Sequence, residues 1–208
     1  MINLFIDTSM ANVSISILED NKILSIIQEE IPNEHSKYVT SYVKRVIDEA
    51  SLDANDIDNI LVVNGPGSFT GVRIGVTIAK TYGYLINKEI IPVSSLKALA
   101  ISSSKSINGN IMSVITANRS SYYVGIYDSE YNNIIDEEFV SRERLVELIE
   151  KYNPYIVSND FNVVSVYKLN KVNLDVSKIV DYYKDMDKVN YHALVPNYLK
   201  LPQAMENR

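Results

Sequence analysis

The stretch N-G-P-G-S-F-T-G-V-R-I-G, Asn64–Gly75, decides how this chain folds. It follows a short apolar segment, Ile60–Val63, and leads into a run from Thr70 to about Asn87 that predicts a long helix. The chain has only 7 glycines, and five of them lie here or just beyond, at Gly65, Gly67, Gly71, Gly75 and Gly83. A strand therefore enters a glycine-rich turn and continues as a helix. Glycine at such a turn permits positive φ or a close approach of another backbone.

Three interpretations of this segment are open. Glycines, hydroxyl groups and a helix N-terminus attract anions, although the G-x-x-x-x-G-K-[ST] pattern of a phosphate loop is absent. The second interpretation is a tight turn with close internal packing. The third is a partner surface, because small residues at four-residue steps let another helix approach closely; this small-residue stripe is Gly71, Gly75, Ala79 and Gly83. Glycine inside a helix costs roughly 0.5–1 kcal/mol relative to alanine, so some contact must offset that cost.

Periodicity in the first half predicts a mixed sheet with helices packed on it. Alternating apolar residues indicate strands, and apolar residues at three- and four-residue steps indicate helices. The predicted order is β-β-β-α-β-α-β-α. The segments are Ile2–Ile6, Asn12–Leu18, Ile23–Gln28, the helix His35–Ala50, Ile60–Val63, the helix from Thr70, Ile90–Val93 and a helix that Ser94 or Ser95 caps and that runs to about Ser103.

The second half repeats this pattern more weakly, as a reduced copy would. Its predicted strands are Ile111–Thr116, Tyr122–Tyr127, Ile134–Val140 and Tyr155–Ser158, with a helix capped by Ser141. The polar run Ser102–Asn110 predicts a boundary between residues 1–101 and residues 102–208, with the final residues free to pack back on the first lobe. No boundaries are predicted from Asp160 to Met186.

Composition excludes several kinds of site. Lys+Arg 20 and Asp+Glu 26 give a formal charge of 20 − 26 = −6, and bases are not clustered, so tight direct binding of nucleic acid is not expected. With Cys 0 and only His35 and His192, neither a thiolate site nor a multi-histidine metal centre can form from this chain. No apolar run is long enough for a membrane span and no signal peptide is present, so we expect a soluble cytoplasmic protein.

Five motifs resemble the TsaB/YeaZ family, in matching order across most of the chain. They are G-P-G-S-F-T-G-V-R-I-G at Gly65–Gly75, I-D-T-S at Ile6–Ser9, P-V-S-S-L-K-A-L-A at Pro92–Ala100, Y-Y-V-G-I-Y at Tyr122–Tyr127 and P-N-Y-L-K at Pro196–Lys200. In the first motif the matching positions are Gly65, Pro66, Gly67, Ser68, Phe69, Thr70, Gly71, Arg73 and Gly75. The segment Thr116–Arg119 departs from the family, which usually carries D-A-R there, so no role is carried over to it.

The resemblance implies an ASKHA fold, the actin, sugar-kinase and Hsp70 architecture of two related α/β lobes, here with the second lobe reduced. It implies a non-catalytic scaffold subunit of the bacterial machinery that makes N6-threonylcarbamoyladenosine (t6A) in tRNA. Such a subunit binds and activates the catalytic subunit TsaD and supports recruitment of the ATPase TsaE, and it meets tRNA only through the complex. The alternatives are a stand-alone ASKHA ATPase or phosphotransferase and, with less support, a glycopeptidase-like peptidase.

The resemblance also implies that this chain holds no catalytic residue, cofactor or metal, since ATP and metal belong to the partner subunits. The related TsaD binds its metal through an H-x-x-x-H pair, and the matching positions here are Ser95 and Leu99. Leucine cannot ligate a metal. The first phosphate hairpin of ASKHA ATPases corresponds to Asp7, Thr8 and Ser9, and we expect it to be vestigial because its usual glycine is missing.

A partner interface is expected where the small-residue stripe meets the helix His35–Ala50. Tyr38 and Tyr42 are candidate aromatic anchors, since interfaces are enriched in tyrosine. The same surface would form a homodimer of the isolated chain and a heterodimer with TsaD, because a paralogue can replace one copy of a two-fold interface.

Overall fold

The chain divides into two compact units. The computed structural model describes residues 1–30, 35–103, 109–118, 120–158, 167 and 169–200. The first unit is Met1–Ser95 with Asp175–Pro196, and the second is Leu96–Leu174 with Asn197–Arg208. The sequence predicts a boundary after residue 101, whereas this division falls between Ser95 and Leu96, at the start of the helix that precedes the polar run. Residues 104–108 of that run lie outside the described residues.

The chain forms ten strands and five α-helices in its described parts. The strands are β1 (Ile2–Asp7), β2 (Asn12–Glu19), β3 (Lys22–Glu30), β4 (Asn59–Gly65), β5 (Ile90–Ser94), β6 (Ile111–Asn118), β7 (Ser121–Tyr127), β8 (Asn133–Ser141), β9 (Tyr155–Ser158) and β10 (Asn170–Lys171). The helices are α1 (His35–Glu49), α2 (Phe69–Leu85), α3 (Ser95–Ser102), α4 (Arg142–Tyr152) and α5 (Val176–Tyr183). Each strand and helix that the sequence predicted is present, with ends within about two residues, as local patterns usually allow.

The sequence analysis missed α5, although the signals for it are present. The side chain of Asp175 caps the helix by accepting a hydrogen bond from the Lys178 amide. Its buried residues follow three- and four-residue steps: Val176, Ile179, Val180 and Tyr183. An N-cap before such a stripe is the standard mark of a helix start.

The two sheets share one connection pattern. The first has the strand order β3-β2-β1-β4-β5, and the second, read from its other edge, has the order β8-β7-β6-β9-β10. In each, the first three strands in sequence are antiparallel and the next two continue in parallel. This repetition confirms the predicted α/β architecture of two related lobes with mixed sheets. The second copy ends in a strand of only 2 residues.

Helix α1 covers one face of the first sheet with the residues that its periodicity predicted. Val39, Val43, Val46 and Ile47 are buried in the core of the first unit. They pack in the same cluster as inward-facing residues of β2, which are Val13, Ile15 and Ile17. In the second unit, α4 covers the sheet with its own buried residues, Leu145, Leu148 and Ile149. No helix in the described ranges combines the length and apolar character needed to cross a membrane.

Helix α2 lies so close to the end of β1 that there is no room for a side chain at Gly71 or Gly75. A Cβ placed on Gly71 would be 2.0 Å from the carbonyl oxygen of Thr8, and one placed on Gly75 would be 2.5 Å from the Thr8 hydroxyl oxygen. A backbone carbonyl cannot withdraw without moving β1. The glycines of α2 are therefore required by contact with the chain's own sheet.

The small-residue stripe is part of the interior of the first unit. Ala79 is fully buried, and a Cβ on Gly83 would lie 2.9 Å from the carbonyl oxygen of Lys88. The glycine stripe therefore packs internally, and the expectation that these four residues themselves form a partner surface is corrected. The reason is geometric, because a helix face of small residues allows close packing of a strand end as readily as close packing of a second helix. A partner interface on these helices stays a prediction only for their exposed residues.

Replacing Gly75 by leucine should destabilise the isolated protein. The new side chain would meet the Thr8 hydroxyl at a distance shorter than van der Waals contact, and overpacking typically costs about 1–3 kcal/mol or more. Denaturant unfolding followed by circular dichroism measures the loss. Thr77→Leu, on the exposed side of the same helix, is the matched control and should unfold nearly as the parent does. A Gly75→Leu protein as stable as that control would show that α2 is not packed this closely.

Candidate functional site

Hydrogen bonds join the glycine-rich turn to the hairpin residues Asp7, Thr8 and Ser9 at the end of β1. The Ser68 amide donates to the carbonyl of Ser9 at 2.7 Å, and the Thr8 hydroxyl donates to the carbonyl of Gly71 at 2.7 Å. A Cβ on Gly67 would lie 2.4 Å from the Ser9 carbonyl oxygen. The turn therefore lies directly over the hairpin, with its backbone filling the space beside Thr8 and Ser9.

The turn itself is held by backbone geometry and by a hydroxyl from the next helix. Gly65 has φ 116, which glycine adopts without strain, and the Gly65–Pro66 peptide bond is cis. The Ser95 hydroxyl donates to the carbonyl of Pro66. At the start of α2, Ser68 caps the helix by accepting a hydrogen bond from the Gly71 amide at 3.2 Å. These bonds give the turn a structural role.

The hairpin residues are buried, and most of their polar atoms are used within the chain. Asp7 is 1% exposed, and its carboxylate accepts a hydrogen bond from the Ser9 amide at 2.8 Å. The Ser9 hydroxyl is buried without a hydrogen-bond partner in the described structure. That the hairpin is vestigial stays a prediction, and this packing agrees with it.

The positions that match the metal-binding histidines of TsaD do not form a polar site here. Ser95 is buried and bonded to the turn, and Leu99 is fully buried. His192 is exposed, while the side chain of His35 lies outside the described atoms. Within the described ranges, no three His, Asp or Glu side chains are grouped as a metal site requires.

The altered segment before β7 is only partly described. Thr116, near the end of β6, is half-buried, and its hydroxyl has no hydrogen-bond partner among the described residues. The Asn118 side chain accepts a hydrogen bond from the Ser120 amide at 3.1 Å. Arg119 lies outside the described residues. No function follows from these contacts.

The predicted aromatic anchors on α1 lie at the edge of the core. Tyr38 and Tyr42 are half-buried and stacked, with ring centroids 6.0 Å apart. The Tyr42 hydroxyl donates to the Glu29 carboxylate at 2.9 Å, and this hydrogen bond raises the pKa of Tyr42. Both rings are thus partly used in internal packing and offer one edge to the surface.

The exposed face of α2, which the sequence analysis did not single out, carries large apolar side chains. Phe69 is 46% exposed at its start, and Tyr84 and Leu85 are 64% and 68% exposed at its end. The Arg73 guanidinium lies 3.7 Å from the centre of the Phe69 ring. Thr70, Thr77 and Thr81 are also exposed on this helix. We call Phe69, Arg73, Tyr84 and Leu85 the outer face of α2. Exposed residues recur at three- and four-residue steps along this side of the helix, at Phe69, Arg73, Thr77, Thr81 and Tyr84, and this spacing could have revealed it.

A segment near the end of the described chain is fastened beside the outer face of α2. The Lys80 ammonium donates to the carbonyls of His192 and Leu194 at 3.2 Å and 3.0 Å. The Tyr191 ring meets the Tyr84 ring edge-on at 5.9 Å. These contacts fix the segment on α2 and add apolar surface at the helix's C-terminal end.

The sequence of this chain is similar to one family model and to several curated proteins. A family model described as TsaD, tRNA N6-adenosine threonylcarbamoyltransferase, matches residues 20–177. The tRNA threonylcarbamoyladenosine biosynthesis protein TsaB of Bacillus subtilis is 28% identical over 97% of this chain and 95% of its own length. A tRNA N6-adenosine threonylcarbamoyltransferase of Chlorobium phaeobacteroides is 27% identical, over 45% of this chain and only 31% of that enzyme.

Solved structures show the same fold. YeaZ from Pseudomonas aeruginosa superposes with a TM-score of 0.81 at 22% identity, covering 95% of this chain and 99% of that one. The ROK hexokinase from Thermus thermophilus reaches 0.51 at 10% identity, over 88% and 97% of the two chains. A two-lobed α/β fold of the sugar-kinase type is thereby confirmed. The chain belongs to the TsaD family of proteins and, within it, to the TsaB/YeaZ branch.

Removing the Thr8 hydroxyl should weaken the fold more than removing an exposed hydroxyl with the same kind of bond. Thr8→Val deletes the buried bond to Gly71 and should cost about 1–3 kcal/mol. Thr81→Val is the control, because its hydroxyl donates to the Thr77 carbonyl on the exposed helix face and its loss should change stability by less than about 0.5 kcal/mol. Free energies of unfolding in urea compare the two. Equal losses of unfolding free energy would mean that the hydrogen bond from Thr8 to Gly71 stabilises the fold no more than the exposed one from Thr81.

Proposed function

We propose that this protein is a non-catalytic scaffold subunit of the machinery that makes t6A in tRNA. In this role it binds and activates the catalytic subunit TsaD and supports recruitment of the ATPase TsaE. Relatives named as TsaB biosynthesis proteins support the pathway. The observation that carries the non-catalytic part is the buried Leu99, which stands at a position where TsaD is expected to hold a metal-binding histidine.

The residues at the metal-binding positions support the same role. A metal shared by two histidines four residues apart needs an imidazole at each position. In this chain one position is a buried leucine, Leu99, and the other is Ser95, whose hydroxyl is bonded to the turn. We therefore propose that this chain itself binds neither the metal nor ATP and that both belong to its partners. Calorimetry with Mg-ATP and the isolated chain tests the ATPase alternative, which micromolar binding would support.

We propose that TsaD binds the outer face of α2 together with the exposed edge of α1. Large apolar and aromatic side chains at the centre of a contact supply most of its binding energy, and an arginine stacked on an aromatic ring is common at such sites. Among the described side chains of these two helices, Tyr84 and Leu85 present the largest exposed apolar surface, and Tyr38 and Tyr42 on α1 are proposed as secondary contacts. The proposed interface thus involves the same two helices as the interface expected from the sequence, but it uses the outer face of α2 and not its inner face.

The isolated protein should leave tRNA unmodified even when threonylcarbamoyl-adenylate is supplied, since it lacks the histidine pair. Adding TsaD and TsaE from the same organism should yield t6A, and omitting this chain from that mixture should lower the yield. Mass spectrometry of digested tRNA nucleosides measures the product. Product formed by this chain alone would overturn the non-catalytic assignment, and an unchanged yield without it would overturn the activating role.

Leu85→Asp should weaken TsaD binding without unfolding the protein. Burying a carboxylate in an apolar contact is unfavourable. If losing this central side chain weakens the binding free energy by about 2 kcal/mol, the Kd rises roughly 30-fold. Ile134→Asp is the matched control, because Ile134 is an exposed aliphatic residue of the second unit, 38% exposed on β8. Calorimetric titration of TsaD compares the two variants. Unchanged affinity for Leu85→Asp, with circular dichroism confirming its fold, would place the interface elsewhere.

A further inference from the structure

Residues 189–195 lie along the first unit as a strap that is fastened at both ends. At the start of the strap, Val189 and Ile90 exchange backbone hydrogen bonds of 2.9 and 2.8 Å beside β5. Near its other end, Leu194 is 2% exposed and belongs to the core of the first unit. The strap is therefore part of the fold of the first unit, although it follows the second unit in sequence.

The middle of the strap forms a single turn, and a lysine of α2 lies at the carbonyl end of this turn. The amides of Ala193 and Leu194 both donate to the Asn190 carbonyl, at 2.9 and 3.2 Å. The Lys80 ammonium donates to the carbonyls of His192 and Leu194, at 3.2 and 3.0 Å. Cations stabilise the carboxyl end of a helical turn, and hydrogen bonds from charged donors are stronger than those from neutral ones. Lys80 therefore fastens the turn to α2.

The fastened turn places Tyr191 beside the outer face of α2. A Cβ on Gly83 would lie 3.1 Å from the Tyr191 Cβ, so the strap approaches the helix at a position that has no side chain. The centre of the Tyr191 ring lies 5.9 Å from that of Tyr84, edge-on, and 4.5 Å from that of His192. Because Tyr84 is 64% exposed, Tyr191 extends the apolar surface at this end of the helix.

We propose that Lys80 is a positioning residue for the partner-binding surface, because it holds the strap so that Tyr191 becomes part of that surface. This inference rests on the proposed contact between TsaD and the outer face of α2. The side chain of Lys80 is half-buried, and its ammonium is directed to the strap carbonyls. The effect of Lys80 on TsaD is therefore transmitted through Tyr191 and not through a charge offered to the partner.

Amide hydrogen exchange of the isolated protein tests whether Lys80 fastens the strap. Lys80→Met keeps the aliphatic part of the side chain but removes the donor of two hydrogen bonds. The amides of Val189 and Leu194, which are hydrogen-bonded in the folded strap, should then exchange roughly tenfold faster. Lys151→Met, at an exposed lysine of α4, is the matched control and should leave these exchange rates unchanged.

The conservative variant Lys80→Arg keeps the charge and the donors, so it should retain most of the protection of the strap amides. Circular dichroism checks that all variants are folded. Strap amides that exchange at the parent rate in Lys80→Met would overturn the proposal.

Calorimetric titration with TsaD tests whether Lys80 acts through Tyr191. Lys80→Met and Tyr191→Ala should each raise the Kd roughly tenfold. Losses of binding free energy add for independent residues but not for residues that act through one contact. The double variant should therefore bind little more weakly than Tyr191→Ala alone, and Lys151→Met should bind as the parent does.

The variant Leu85→Asp separates a failure of this inference from a failure of the proposed interface. Additive losses, or an unchanged Kd for Lys80→Met, would overturn the positioning role of Lys80. Weakened binding of Leu85→Asp would in that case leave the proposed interface standing. If Leu85→Asp, Lys80→Met and Tyr191→Ala all bind TsaD as the parent does, the proposed interface and this inference both fail.

Discussion

The contact between the backbone of α2 and the end of β1 is the constraint on which the rest of the first unit depends. The helix begins so near Thr8 that only hydrogen fits at Gly71 and Gly75. To start there, the chain must leave β4 by a tight turn, and the Ser68 amide must reach the Ser9 carbonyl. The glycines of the motif are therefore explained by packing, because Gly67 and Gly71 lie against backbone carbonyls and Gly75 lies against the Thr8 hydroxyl.

The same contact uses polar groups of the hairpin in internal packing. A hairpin of this kind holds a phosphate only if amides and hydroxyls remain open beside it. Here the Thr8 hydroxyl is bonded to a carbonyl of α2, and the Ser9 carbonyl accepts the amide of the turn. These hydrogen bonds hold the helix on the sheet. On the opposite side of the same helix, the outer face of α2 keeps large apolar side chains exposed.

Local patterns predicted the elements well because each depends on neighbours in sequence. The alternation of apolar and polar residues predicted the strands. The three- and four-residue spacing of Val39, Val43 and Val46 predicted the buried face of α1. The position of the small-residue stripe could not be predicted this way, because four-residue spacing of glycine suits a sheet end and a second helix equally. The contacts of Lys80 with residues more than a hundred positions later in the chain were also out of reach, since nothing local signals them. The structure thus corrects the position of the small-residue stripe, which is internal, and a partner site on the exposed side of the same helix is our proposal.

Substitutions on the two sides of α2 are expected to have different effects. Those on the inner side change the stability of the fold, and those on the outer side change the proposed contact with a partner. On the inner side, any Cβ at Gly71 meets a carbonyl that belongs to β1, so a change there alters the fold before it alters any contact with a partner. On the outer side, Leu85 is largely exposed, and exchanging it is expected to change little in the folded monomer. Recognition can therefore diverge among relatives on the outer side while the glycines stay in place. A paralogue built on the same glycine turn would keep this backbone arrangement, and two such chains could pair through their outer faces without either fold being altered.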